Sequence, residues 1–202
     1  MISGRNPLHR ERAGALRLWL VLALILAPAA AQAFDLADLM ALMAQVETSQ
    51  VAFEETKHVA ALTTPLVRRG TLRYVRPDHL EMRVETPYFE RMEITGNLLT
   101  IESKRGIRRI DLAGEPGTAA WVASIRATLA GDRPALARHF AFELRGEAAR
   151  WTLTLLPLDP ALSGVIERIA IDGAQAQLSR IEVAERMGDR TVLIVQPAGN
   201  AR

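Results

Sequence analysis

The side chains able to do chemistry in this chain are few and scattered. A serine nucleophile needs a strained turn such as Gly-x-Ser-x-Gly to present its hydroxyl to a base, and Ser103, Ser124, Ser163 and Ser179 stand in no such setting. His58, His79 and His139 are each isolated in sequence, with no His-Glu-x-x-His step and no calcium-type acidic loop, so a metal site is not expected and they read as surface or strand-end histidines. Glu54 and Glu55 are adjacent, and adjacent residues of a strand point to opposite faces, which makes them a poor acid–base pair. Glycine patterns for phosphates or dinucleotides are missing. Cysteine is absent, which excludes disulfides, thiolate catalysis, Cys-ligated metals and a lipid-modified N-terminal cysteine. The expectation is a non-enzyme with no catalytic residue, metal or cofactor.

The N-terminus says where such a chain would work. Arg5, Arg10, Arg12 and Arg17 lead into an apolar core from Leu16 to Ala27, then Pro28 and Ala31-Gln32-Ala33. Charge, apolar core and small residues in that order predict a cleaved signal peptide over 1–33. The core is well short of the ~20 residues a spanning helix needs. One domain over 34–202, exported to the periplasm as a soluble protein, is therefore expected. That segment holds 21 basic and 22 acidic residues, so the pI of about 9.5 comes largely from the leader and gives no argument for nucleic acid.

The elements that follow are built around apolar periodicity. Asp35 is a plausible N-cap with Asp38 at the third helical position, and Leu36, Leu39, Met40, Met43 and Val46 recur at helical spacing. A strand is predicted from Thr48 to about His58, bearing Phe53, and a loop over Ala60 to Pro65. Leu72 and Tyr74 share parity, Pro77-Asp78 turns the chain, and Leu80, Met82 and Val84 alternate with Glu81, Arg83 and Glu85, which buries one face and wets the other. Met92, Ile94, Gly96-Asn97, Leu99 and Ile101 read as a hairpin, and Lys104-Arg105-Gly106 turns into the next strand. Two helices interrupt the sheet, one capped by Thr118 with Trp121, Val122, Ile125 and Leu129 on one side, the next capped by Asp132 with Pro134 in its first turn. Strands resume at Phe140 and run to Gln196, for ten or eleven in all.

Composition alone favours helices that simply seal the sheet into a two-layer core. An incompletely covered sheet would instead leave an apolar cleft.

The order of elements tilts the choice. A helix enters the strand with Phe53; Gly70-x-Leu72 opens a strand that ends in Arg76-Pro77, a large apolar residue follows, and Pro87 leads to a turn at Gly96 before Leu98-Leu99. In this the chain resembles the LolA-like superfamily of periplasmic outer-membrane lipoprotein carriers. The resemblance implies an α+β fold: an unclosed antiparallel β-barrel of about 10–11 strands with an α-helical lid over an apolar concave face. It implies that Leu39, Met43, Phe53, Leu72, Tyr74, Leu80, Met82, Val84, Met92, Ile94, Trp121 and Ile125 meet lipid, and that Arg76 gates the lid. Strand parity agrees, placing Arg76 with Leu72 and Tyr74, where burial of a guanidinium is costly unless something accepts its protons. The expected partners are acyl chains of lipoproteins or glycolipids, an inner-membrane donor complex and an outer-membrane acceptor, met by a monomer.

This sequence departs from the carriers in one respect. They usually have an aromatic residue after the Arg-Pro pair, where Leu80 and Met82 stand here; aromatics are only 5% of the chain. Aliphatic and thioether side chains make a softer, more adaptable wall. A second reading keeps the same half-barrel as a lipid-sensing regulatory module acting through a protein partner. A dispersed-site acyl hydrolase is the third, and the least supported.

Overall fold

A computed structural model describes residues 33–114 and 116–197. The expected leader up to residue 32 and the tail after Pro197 lie outside the described residues. Helix α1 (Leu36–Met43) begins with a reciprocal cap. The Asp35 side chain accepts the Asp38 backbone N–H, the Asp38 side chain accepts that of Asp35, both at 3.0 Å, and so two otherwise orphaned donors are satisfied. Its buried stripe is Leu36, Leu39, Met40 and Met43.

The first meander is β1 (Thr48–His58), β2 (Leu66–Val75), β3 (His79–Thr86), β4 (Glu90–Thr95), β5 (Leu98–Ser103) and β6 (Gly106–Asp111). A 3-10 turn, helix α2 (Pro116–Ala130) and helix α3 (Arg133–Ala137) follow. The second meander is β7 (Phe140–Glu147), β8 (Arg150–Pro157), a short helix α4 (Pro160–Ser163), β9 (Ile166–Ala174), β10 (Gln177–Glu185) and β11 (Arg190–Pro197).

All pairings are antiparallel, in the order β6-β5-β4-β3-β2-β1-β11-β10-β9-β8-β7. Strand β1 pairs with β11 and so joins the two meanders. Strands β6 and β7 are left as the edges of one 11-stranded sheet that does not close. This is the open half-barrel that the alternation and the resemblance together predicted.

Two local readings are corrected. Helix α2 starts at Pro116, so Thr118 is inside its first turn rather than its cap; a proline has no N–H to leave unpaired there. Helix α4 was not foreseen, although Asp159 accepts the Ala161 N–H at 2.8 Å and Pro160 opens the turn.

Glycine decides one close approach. A Cβ on Gly70 would stand 1.8 Å from the Arg83 carbonyl oxygen, at the point where the β2–β3 register shifts. Only a residue without a side chain lets the strands meet across that bulge.

The hydrophobic core is lopsided. Its buried cluster joins α1, Ala127 of α2 and Leu136 of α3 to Phe140, Trp151, Leu153, Leu155, Ile169 and Ile171 of β7, β8 and β9. Close backbone packing of the helices on the sheet falls on β7, β8 and β9.

Candidate apolar trough

Register shows which side chains share the concave face. Tyr74, Leu80, Ile94, Leu99 and Ile110 form one row across β2 to β6; Leu72, Met82, Met92, Ile101 and Arg108 form the next. Phe53, Gly70 and Val84 continue the face toward the far end of the strands. Phe53, Tyr74 and Val84 are buried. Leu72, Leu80, Met82, Met92 and Ile94 are only half-buried, although they point to the same side of the sheet as the sealed residues of β7 to β9.

The residues expected to meet lipid thus divide into two groups. Those on the sheet lie together on one face. Leu39 and Met43 are instead packed into the protein's own core, at 0% and 2% exposure. Ile125 on α2 is half-buried, and the Trp121 side chain lies outside the described residues. Leu99, Ile101 and Ile110 were not singled out in sequence, yet they extend the same half-buried rows. Their signal was the parity carried across the Gly96-Asn97 turn.

The far end of the concave face is charged. Glu55, only 6% exposed, accepts three hydrogen bonds from Arg68, from Nε at 2.9 Å and from Nη2 at 2.7 and 3.0 Å. Arg68 also reaches Glu90 at 3.5 Å. The bidentate fork satisfies a carboxylate that would otherwise be buried alone. Glu54, by contrast, faces outward onto Arg69 at 2.7 Å, so the adjacent pair does point to opposite faces.

At the opposite end, arginines tie sheet and helices together. The Arg76 guanidinium donates from Nη1 to the carbonyl of Ala44, the C-cap of α1, and the Arg76 backbone N–H donates to the Glu47 carbonyl at 2.9 Å. A cation is favourable at a helix C-terminus. The guanidinium is exposed, which corrects the expectation that it is buried on the inner face; the strand ends there and the side chain sits at the lip. From α2, Arg126 Nη2 donates to the Gly96 carbonyl, while the Gly96 N–H donates to Asp78 at 3.1 Å. The Tyr74 hydroxyl and Arg126 Nε are buried without a hydrogen-bond partner among the described residues. Burial pushes the Tyr74 phenol above its ordinary pKa, with nearby Arg76 opposing and Asp78 reinforcing the shift.

One histidine is less isolated than its sequence position suggests. His79, Glu81 and Glu93 come together on the convex face, with candidate ligand atoms within 4.8 Å of one another. Arg91 already pairs with both carboxylates at 2.8 Å, and His79 Nδ1 lies 3.1 Å from the Thr95 hydroxyl. The cluster already has a resident cation and no link to the concave face.

A family described as outer membrane lipoprotein carrier protein LolA-like matches residues 28–202. No curated protein matches the chain. Among solved structures it is similar to a LolA superfamily protein from Nitrosomonas europaea, at 9% identity, over 81% of this chain and 92% of that one, with a TM-score of 0.45. It is also similar to a putative outer membrane lipoprotein-sorting protein domain from Vibrio parahaemolyticus, at 11% identity, 83% and 92% coverage and a TM-score of 0.39. The lipoprotein LppX of Mycobacterium tuberculosis aligns at 12% identity, 78% and 93% coverage and a TM-score of 0.39. With the family match running through every strand and helix described above, the chain belongs to the outer membrane lipoprotein carrier protein LolA-like family.

Proposed function

We propose that this protein is a periplasmic carrier that shelters the acyl chains of a lipoprotein or related lipid against the concave face of β2 to β6 and carries it toward the outer membrane. The observation that carries the reading is the half-burial of Leu72, Leu80, Met82, Met92 and Ile94, on a face whose other half is sealed. Apolar rows of this kind are the walls of a ligand site when the protein does not fill the space between them. The leader read from sequence supplies the export step. Among the described residues no helix is long and apolar enough to cross a membrane.

The mechanism is exchange without covalent chemistry. Each buried methylene is worth ~0.8 kcal/mol, so ten are worth roughly 8 kcal/mol gross, comparable to the ~5–15 kcal/mol stability of a whole domain. A trough of that strength needs a cover when empty, and α2 is the element placed to provide it. Helix α1 is the weaker candidate for movement. Its stripe is core, and a Cβ on Gly131 would stand 2.2 Å from the Met40 carbonyl oxygen, a measure of how closely α1 lies on the α2–α3 junction. Arg126 would then act as the latch, holding the Gly96 carbonyl until entering acyl chains displace α2, and Arg76 would gate the trough by fixing its lip against the C-cap of α1. The unpartnered donors on Tyr74 and Arg126 support a cargo that brings oxygen acceptors, such as an ester or amide carbonyl. An inner-membrane donor and an outer-membrane acceptor would load and unload the trough.

Transfer between membranes tests this. A triacylated peptide in donor vesicles should move to separated acceptor vesicles at a rate proportional to added protein. Acyl-chain binding without any net transfer would overturn the carrier reading in favour of the lipid-sensing module.

A further inference from the structure

The two ends of the half-barrel differ in their loops. In an antiparallel meander alternate connections share an end, so β1–β2, β3–β4, β5–β6, β8–β9 and β10–β11 all turn at one rim. That rim carries Leu62, Tyr88, Ile107, Leu158, Val165 and Met187, every one exposed, with Tyr88 at 72% and Met187 at 90%. Large apolar side chains are scattered singly over most protein surfaces; here one or two stand in or beside each of five connections, Ile107 being the second residue of β6. At the other end the turns carry Pro77, Asn97, Ala149 and Gln175, and among the described residues Leu98 is the large apolar one exposed beside them.

The tips are tied to one another. The Ala60 N–H donates to Asp189 at 2.9 Å, the Arg186 N–H donates to the Val165 carbonyl at 2.9 Å, and the Arg186 guanidinium reaches the Ser163 carbonyl. Lys104 lies 6.0 Å over the Tyr88 ring. These contacts brace the connections that carry Leu62, Tyr88, Val165 and Met187 against their neighbours.

Charge on the tips is one-sided. Lys104, Arg105 and Arg186 are exposed, whereas the acids of the same segments, Asp159 and Asp189, are half-buried and accept backbone N–H groups. The exposed acids nearest in sequence, Glu85 and Glu167, are set back within β3 and β9.

We infer that this rim is a membrane-docking edge, which seats its apolar tips in the headgroup region of an anionic bilayer while Lys104, Arg105 and Arg186 meet the lipid phosphates. Discontinuous apolar tips interleaved with cations suit a fluid interface, where each side chain finds apolar surroundings independently. The inference goes beyond cargo carriage, because docking at the rim needs no occupant in the trough.

Co-sedimentation tests it, with vesicles of phosphatidylethanolamine and phosphatidylglycerol against vesicles of phosphatidylcholine alone. The wild-type protein should bind the anionic vesicles, and added salt should weaken it. Tyr88→Ser with Met187→Ser should weaken binding about tenfold or more. Lys104→Glu with Arg105→Glu should weaken it about tenfold on anionic vesicles and leave the neutral ones unaffected. These side chains are exposed, so an unchanged thermal midpoint will show that both variants fold. Absence of wild-type binding overturns the inference, and so does undiminished binding by both variants, which would place the contact elsewhere, the trough included.

Discussion

The two halves of this sheet are written in the same pattern and end in opposite environments. Leu153 and Leu155 on β8 alternate with threonines and are sealed beneath the helices. Met82 on β3 and Met92 on β4 alternate with charged residues and are half-covered. The difference is what lies above them: α1, α3, α4 and Ala127 of α2 pack into one cluster with β7 to β9, and α1 is held there by its own apolar stripe. Alternation therefore decides which side chains face inward, while the placement of the helices decides whether inward means core or cleft.

Substitutions on the two halves sharpen that contrast. Leu153→Ala on the sealed half should cost about 3 kcal/mol in urea-induced unfolding, for lost transfer energy and the cavity left behind. The charged end comes next. Arg68→Met should cost about 2 kcal/mol in the same unfolding measurement, because it strands the buried Glu55 carboxylate without its fork. Arg76→Leu removes the link to the Ala44 carbonyl and should cost about 1 kcal/mol, with a larger effect on the rate at which bound lipid exchanges, read by fluorescent acyl-chain displacement. Met92→Ala, on the half-covered side, should cost under about 1 kcal/mol, since part of its surface is already in water. A Met92→Ala cost equal to that of Leu153→Ala would break the comparison, because both halves would then be core.

Much of this was legible in the sequence because it is local. The reciprocal cap of Asp35 and Asp38, the β1 limits at Thr48 and His58, the turn at Gly96-Asn97 and the alternation of Leu80, Met82 and Val84 each depend on residues a few positions apart. Helix α4 was missed although Asp159-Pro160 signals its start, because four residues are too few for an apolar period to register. The long-range features were not legible. Nothing local pairs Glu55 with Arg68, and only register sets them opposite one another. Leu39 and Met43 read as lid residues, and only packing shows that they belong to the core. Nothing local to Met187 or Leu62 says that their loops share an end; that follows from the strand order alone.

The central claim is that the space above Met82 and Met92 holds hydrocarbon, and native mass spectrometry of protein recovered from the periplasm tests it most directly. The wild-type protein should carry a mass increment that resolves on release into an acylated lipid or lipopeptide, and Met92→Trp, which fills the trough from its floor, should lose that increment while unfolding at an unchanged or higher urea midpoint. An unloaded wild-type protein that also takes up no acyl chain from added vesicles, with Met92→Trp behaving identically, would contradict the account.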